Sequence, residues 1–101
     1  MTLNIVSKNG KTIRLTDERW AHITEEHSEM AGFRTEVLET VENPDRILKG
    51  NEGEMLAVRE IESGKFLVVP FREFEKGGFI ITAFLTSRQS SLNRRTQLWL
   101  A

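Results

Sequence analysis

The chain has 101 residues, no cysteine and two histidines, with 39% hydrophobic and 29% charged residues and a formal net charge of −1. That length suits one domain around a single core, and the lack of cysteine excludes disulfide frameworks, zinc fingers and thiol nucleophiles. No stretch approaches the roughly 18 apolar residues that span a bilayer, and no secretory signal opens the chain, so a cytoplasmic location without membrane contact is expected.

LNIVS and KTIRLT, at residues 3–7 and 11–16, are short β-prone runs separated by Lys8-Asn9-Gly10. Asn-Gly supplies the positive φ angles of a tight turn, so a short N-terminal hairpin is expected. Thr16 before Asp17 and Glu18 reads as a helix N-cap with acids in the first turn. The helix is predicted over residues 17–30, with Trp20, Ile23, His27 and Met30 on one stripe, and Gly32 breaks it. A second helix, over residues 33–42, carries Phe33, Val37, Leu38 and Val41 and stops at Asn43-Pro44.

After Pro44 the pattern becomes β. RILKG, EMLAVREI, KFLVVPFREF and GGFIITAFLTS are separated by glycine-bearing, hairpin-sized connections, which predicts an antiparallel meander. Pro70 lies inside the third run and removes a ladder donor, so an edge position or a bulge is expected there. Residues 89–101, with Leu98-Trp99-Leu100 and a basic pair, read as a docking helix, a strand or a flexible tail. The expected class is α+β: a short N-terminal hairpin, and N-terminal helices packed on a four-stranded antiparallel sheet, all in one domain over residues 1–101.

No motif with a fixed spacing appears. Glu75-Lys76-Gly77-Gly78 lacks the Walker spacing and leads into a strand, and there is no GxSxG, HExxH or calcium loop. The case therefore rests on a constellation. His22 and His27 are five residues apart, which is poor spacing for two metal ligands on one helix, so neither a metal nor a cofactor is expected. His27 falls on the apolar stripe, where a hydrogen-bonded core histidine is one reading and a site imidazole the other. His22 falls among glutamates, where a solvated surface residue competes with a site role.

Period-two alternation in FIITAFLTSR puts Ile80, Thr82, Phe84, Thr86 and Arg88 on one face of a strand and Phe79, Ile81, Ala83 and Leu85 on the other. Arg59 shares a face with Met55, Ala57 and Ile61, and should meet a carboxylate or an anionic ligand. Lys65 and Arg72 add positive charge, although each alone reads equally as a rim cation. Residues 1–54 hold seven Lys/Arg and eleven Asp/Glu, residues 55–101 seven and four, which points to an acidic side and a polyanion-facing side, or to scatter. Imidazoles facing Arg and Thr suit phosphodiester cleavage, which needs proton transfer at two oxygens and cations on the phosphorus centre.

Three groups of residues carry a resemblance: Trp20-x-His22-Ile23 with His27-Ser28-Glu29, Val41-x-Asn43-Pro44-Asp45, and Thr82-Ala83-Phe84. In this order, over roughly residues 13–88, the chain resembles the barnase–EndoU–colicin–RelE (BECR) superfamily of small ribonucleases, phage and toxin-system members above all. Ser28 stands where many relatives have proline. The resemblance implies a RelE-like fold and a metal-independent endoribonuclease, the toxin of a toxin–antitoxin or phage-related system. It implies His22 or His27 as general base or acid, Arg59 stabilising the phosphorane and Thr82 bonding a phosphate oxygen. Lys65, Arg72 and Arg88 would position the RNA substrate, and an antitoxin or immunity protein would be the partner. The alternative is a non-catalytic protein-binding or phage accessory module, which the near-neutral charge and acidic helical half favour.

Overall fold

The computed structural model describes residues 1–101. The chain runs β1 (Thr2–Val6), β2 (Thr12–Thr16), α1 (Asp17–Glu26), a 3₁₀ turn (Ser28–Met30), α2 (Arg34–Glu42), β3 (Arg46–Lys49), β4 (Met55–Glu62), β5 (Lys65–Phe74), β6 (Gly77–Ile80), β7 (Phe84–Thr86), α3 (Gln89–Asn93) and β8 (Gln97–Leu100).

The expected four-stranded antiparallel sheet under N-terminal helices is not what forms. One eight-stranded mixed sheet runs β1-β2-β6-β5-β4-β3-β8, with β7 beside β5, and three short helices accompany it. The antiparallel meander β3-β4-β5-β6 lies within this sheet, but neither of its edges is left open. An open edge exposes a row of unpaired N–H and C=O groups. On one side β2 takes that edge, parallel to β6, with Ile13 beside Gly78 and Arg14 beside Phe79. On the other, β8 pairs antiparallel with β3. The hairpin and the tail are therefore sheet strands.

Helix α1 begins where Thr16 predicts: its side-chain oxygen accepts from the Arg19 N–H at 3.1 Å. It ends earlier than expected. His27 leaves the helix at φ −130°, ψ 77°, as the C-cap. Glu25 and Glu26 stand in the last turn with no basic residue, which opposes the helix dipole at its negative end. Helix α2 stops at Asn43, ahead of Pro44.

The two sheet faces bury different cores. Against α1, the 3₁₀ turn and α2 lie Ile13, Leu15, Ala57, Leu67, Val69, Phe71, Ile80 and Ala83, together with Ile23, Met30, Val37 and Val41. On the far face Leu92 of α3 covers Leu48, Leu56, Val58, Phe66 and Val68, with Phe84 packed alongside. Full burial of one such side chain stabilises by about 1.5–3 kcal/mol. The sheet curls around α2, so its opposite edges approach: Lys8, in the β1–β2 loop, reaches the Asn43 side chain and stands 5.4 Å from the centre of the Trp99 ring on β8. No helix is long and apolar enough to cross a membrane.

A bulge at Pro70 positions the site. The Pro70 carbonyl accepts from both the Ile81 and Thr82 N–H groups, at 2.9 and 3.5 Å. On one side of it Phe71 pairs with Ile80; on the other Val68 pairs with Phe84, so the register slips by one residue. A one-residue slip reverses which face a side chain takes. Ile80 and Ala83 thus both lie in the helix-side core, while Phe79, Phe84 and Thr86 share the far face. The strict alternation expected for residues 79–88 is broken here.

Candidate functional site

The residues singled out from the sequence fall in separate places. His22 stands exposed on α1, its Nε2 2.5 Å from the Glu26 carboxylate, beside a small cleft with Thr16, Glu18 and Arg19. Arg59 lies on the helix face, 3.5 Å from Glu39, so it meets the carboxylate its apolar surroundings call for. It shares a cleft of about 460 Å³ with Lys65, Phe33, Glu36 and Ile61. Lys65 is also 3.9 Å from Glu62. Arg72, on the far face, donates to the Glu52 carbonyl at 2.7 Å. Thr82 sits in the bulge, its N–H turned to Pro70. No cleft holds two of His22, His27, Arg59 and Thr82, and no three His, Cys, Asp or Glu side chains gather as metal ligands.

A different grouping forms around Phe84. Because His27 has left the helix, its ring lies against Phe84, with centroids 6.1 Å apart and planes tilted by 35°. The Glu29 carboxylate is 3.6 Å from His27 Nδ1. Leu56, Phe84 and Leu92 form the apolar wall of a cavity of about 260 Å³, and Thr86, Ser91, Arg88 and Arg95 supply its hydroxyls and guanidinium groups. No carboxylate lines it.

Helix α3 sets this geometry. Its Leu92 is buried in the far-face core, which fixes Arg88, Ser91 and Arg95 along one side of the opening. Arg88 takes part in none of the chain's ion pairs. Arg95 is oriented by its bonds to the Lys49 carbonyl and the Asn51 side chain, at 3.2 and 3.0 Å. Glu54 stands near Arg72 and Arg95. Bonds from the backbone N–H groups of Glu52 and of Glu54 itself, and then those two cations, hold its carboxyl below the ordinary value. It stays ionised and offsets part of their charge.

Compared with protein-family models, with curated proteins and with solved structures, the chain matches none. The site is therefore read from its own chemistry. The cavity combines an aromatic wall, two hydroxyls and two guanidinium groups, a set suited to a phosphate attached to a flat ring. The His27 imidazole lines no cavity and joins it only through the Phe84 ring. Of these residues, His27 and Arg88 were named from the sequence as site candidates. Arg95 stood in the basic pair of the tail, and Phe84 and Thr86 in the alternating strand, without a role. Arg59 and Lys65 face the opposite side of the sheet and serve a different cleft.

Proposed function

We propose that this chain binds and cleaves RNA in the cleft beside Phe84, with His27 handling the proton. One observation carries the reading. An imidazole backed by a carboxylate lies on the ring that walls a cavity holding two guanidinium groups and no acid. The Glu29 carboxylate stands 3.6 Å from Nδ1, beyond hydrogen-bond distance, and Nε2 is the nitrogen left free to work. A phosphate held by Arg88 gains paired, charge-assisted hydrogen bonds, and a base stacks on Phe84.

Nε2 takes the proton of the ribose 2′-hydroxyl. The 2′-oxygen then bonds to phosphorus and the bond from phosphorus to the 5′-oxygen breaks. The products are a 2′,3′-cyclic phosphate and a 5′-hydroxyl, whose proton comes from water or the imidazolium. The superfamily resemblance supports the same chemistry and adds a setting, a cytoplasmic toxin with a protein antidote.

The test is cleavage of a labelled RNA oligonucleotide in EDTA. Wild type is expected to release cyclic-phosphate ends, and His27→Ala to lower the rate about 10²–10⁴-fold. Arg88→Ala is expected to weaken both binding and rate. Intact RNA with wild type, or equal rates with His27→Ala, overturns the reading. Growth arrest on inducing the gene, lost in His27→Ala, is the expected outcome in cells.

A further inference from the structure

The bulge brings a second group of side chains onto the same face as this cleft. Arg14, Phe79 and Arg72 stand side by side across β2, β6 and β5, because Arg14 pairs with Phe79 and Arg72 with Phe79 in the register. All three point away from the helices, since their strand neighbours Ile13, Ile80 and Phe71 are in the helix-side core. The aromatic residue is thus flanked by an arginine on each neighbouring strand, the strands standing about 5 Å apart. Phe74, 57% exposed, leans on Phe79 with ring centroids 6.2 Å apart and adds a second ring. Arg14 makes no ion pair, and it opens onto a hollow of about 190 Å³ shared with Thr16, Arg19 and Phe79.

We propose that this row is a platform for single-stranded RNA, which continues the strand held in the Phe84 cleft; the proposal rests on the ribonuclease reading. The Phe74 ring is exposed, the Phe79 ring is half-buried, and the neighbouring Arg14 makes no ion pair. Together they match the two needs of a single strand, a flat surface for an unstacked base and charge for its phosphate. A duplex keeps its bases stacked on one another and offers none to Phe79. Phe79 and Phe84 lie five positions apart along one bulged strand, about 15 Å, a span that a few unstacked nucleotides bridge. The positive charge of Arg14 and Arg19, with that of Arg72 partly offset by Glu54, favours a polyanion over an apolar protein surface.

The test uses fluorescence anisotropy with a labelled 12-nucleotide single strand and the full-length His27→Ala protein, so that the RNA stays intact. A hairpin duplex of equal length is the control. Adding Phe79→Leu, which keeps apolar bulk and removes the ring, is expected to weaken single-strand binding roughly tenfold. Phe79→Trp is expected to restore it. Arg14→Gln is expected to reduce the salt slope by about one unit.

In the otherwise wild-type chain, cleavage of a dinucleotide, too short to reach the platform, is expected to stay unchanged in Phe79→Leu. Equal affinity of Phe79→Leu and its parent, or preference for the duplex, overturns the platform. If the dinucleotide is still cleaved in that case, the ribonuclease reading stands. If no RNA is cleaved yet binding depends on Phe79, the platform stands and the cleavage reading falls.

Discussion

The His27 imidazole rests on the Phe84 ring, at 6.1 Å between centroids, only because α1 ends one residue before it. Had the helix continued, its backbone would have carried the ring elsewhere on the helical stripe. The contact divides two roles that kinetics can separate. Phe84→Leu keeps an apolar wall but loses the stacking surface, so KM for RNA should rise about tenfold with little change in kcat. His27→Ala should do the reverse. Steady-state rates on one short oligonucleotide check both.

The bulge at Pro70 takes up one extra residue between Ile80 and Phe84. Deleting Thr82 removes the extra residue and restores strict alternation. Because Phe71 pairs with Ile80 and Val68 with Phe84, removing one residue between them leaves Phe84 beside Val68 and Thr86 beside Phe66. Both stay on the far face, and Ala83 and Leu85 stay on the helix side. The deletion is therefore expected to cost no more than about 2 kcal/mol in urea unfolding. A loss of more than about 4 kcal/mol would show that the bulge itself is needed to hold the register.

Two glycines should respond very differently to alanine. A Cβ on Gly78 would stand 1.9 Å from the Arg72 carbonyl oxygen, a backbone atom that moves only if β5 moves. Gly78→Ala should therefore cost about 2–3 kcal/mol or more and disturb Arg72 and Phe79 together. Gly10, at φ +79°, has nothing within 4 Å of the added atom, so only backbone strain opposes the change, at about 1 kcal/mol. Thermal melts of the two variants rank them.

Acid should weaken the junction of β2 and α1. Hydrogen bonds from the amino terminus first, and then from Arg34, hold the Asp17 carboxyl below its ordinary value of 3.8. A depressed carboxyl contributes stability that is complete above its unfolded value and lost as pH falls through the lower folded one. Wild-type Tm should hold from pH 6 to about 4 and decline below that. Asp17→Asn should start lower and decline less over the same acid range. Calorimetry between pH 6 and pH 2 measures the difference.

Local chemistry made much of the chain readable. Asn9-Gly10 marks the hairpin, Thr16 caps α1, Asn43-Pro44 ends α2, and the glycine-bearing turns delimit the meander. What pairs with the meander's edges was not readable. The match of Ile13 with Gly78, or of Ile47 with Trp99, depends on shape across the whole sheet and leaves no mark in either segment alone. The four-stranded expectation failed for that reason.

The site shows the same division. Arg88 and His27 could be named as reactive types. The slip that gathers Phe79, Phe84 and Thr86 on one face follows from a carbonyl accepting twice, which alternation along the strand cannot reveal. Pro70 was the one visible hint. Arg59 calls for a carboxylate or an anionic ligand, and Glu39 stands 3.5 Å from it as the carboxylate.

The curl that sets Lys8 against Trp99 also orders events in time. The meander strands are joined by short turns and can find one another quickly, whereas β2 must wait for β6 and β3 for β8. Distant pairings of this kind slow folding. During synthesis the first hairpin leaves the ribosome with Ile13 and Leu15 bare, long before Gly78 exists to receive it. Distant pairing leaves apolar strand faces open longest in that interval. The hairpin tip between them is polar, with Lys8, Asn9 and Lys11, the kind of charged edge that resists pairing with another chain.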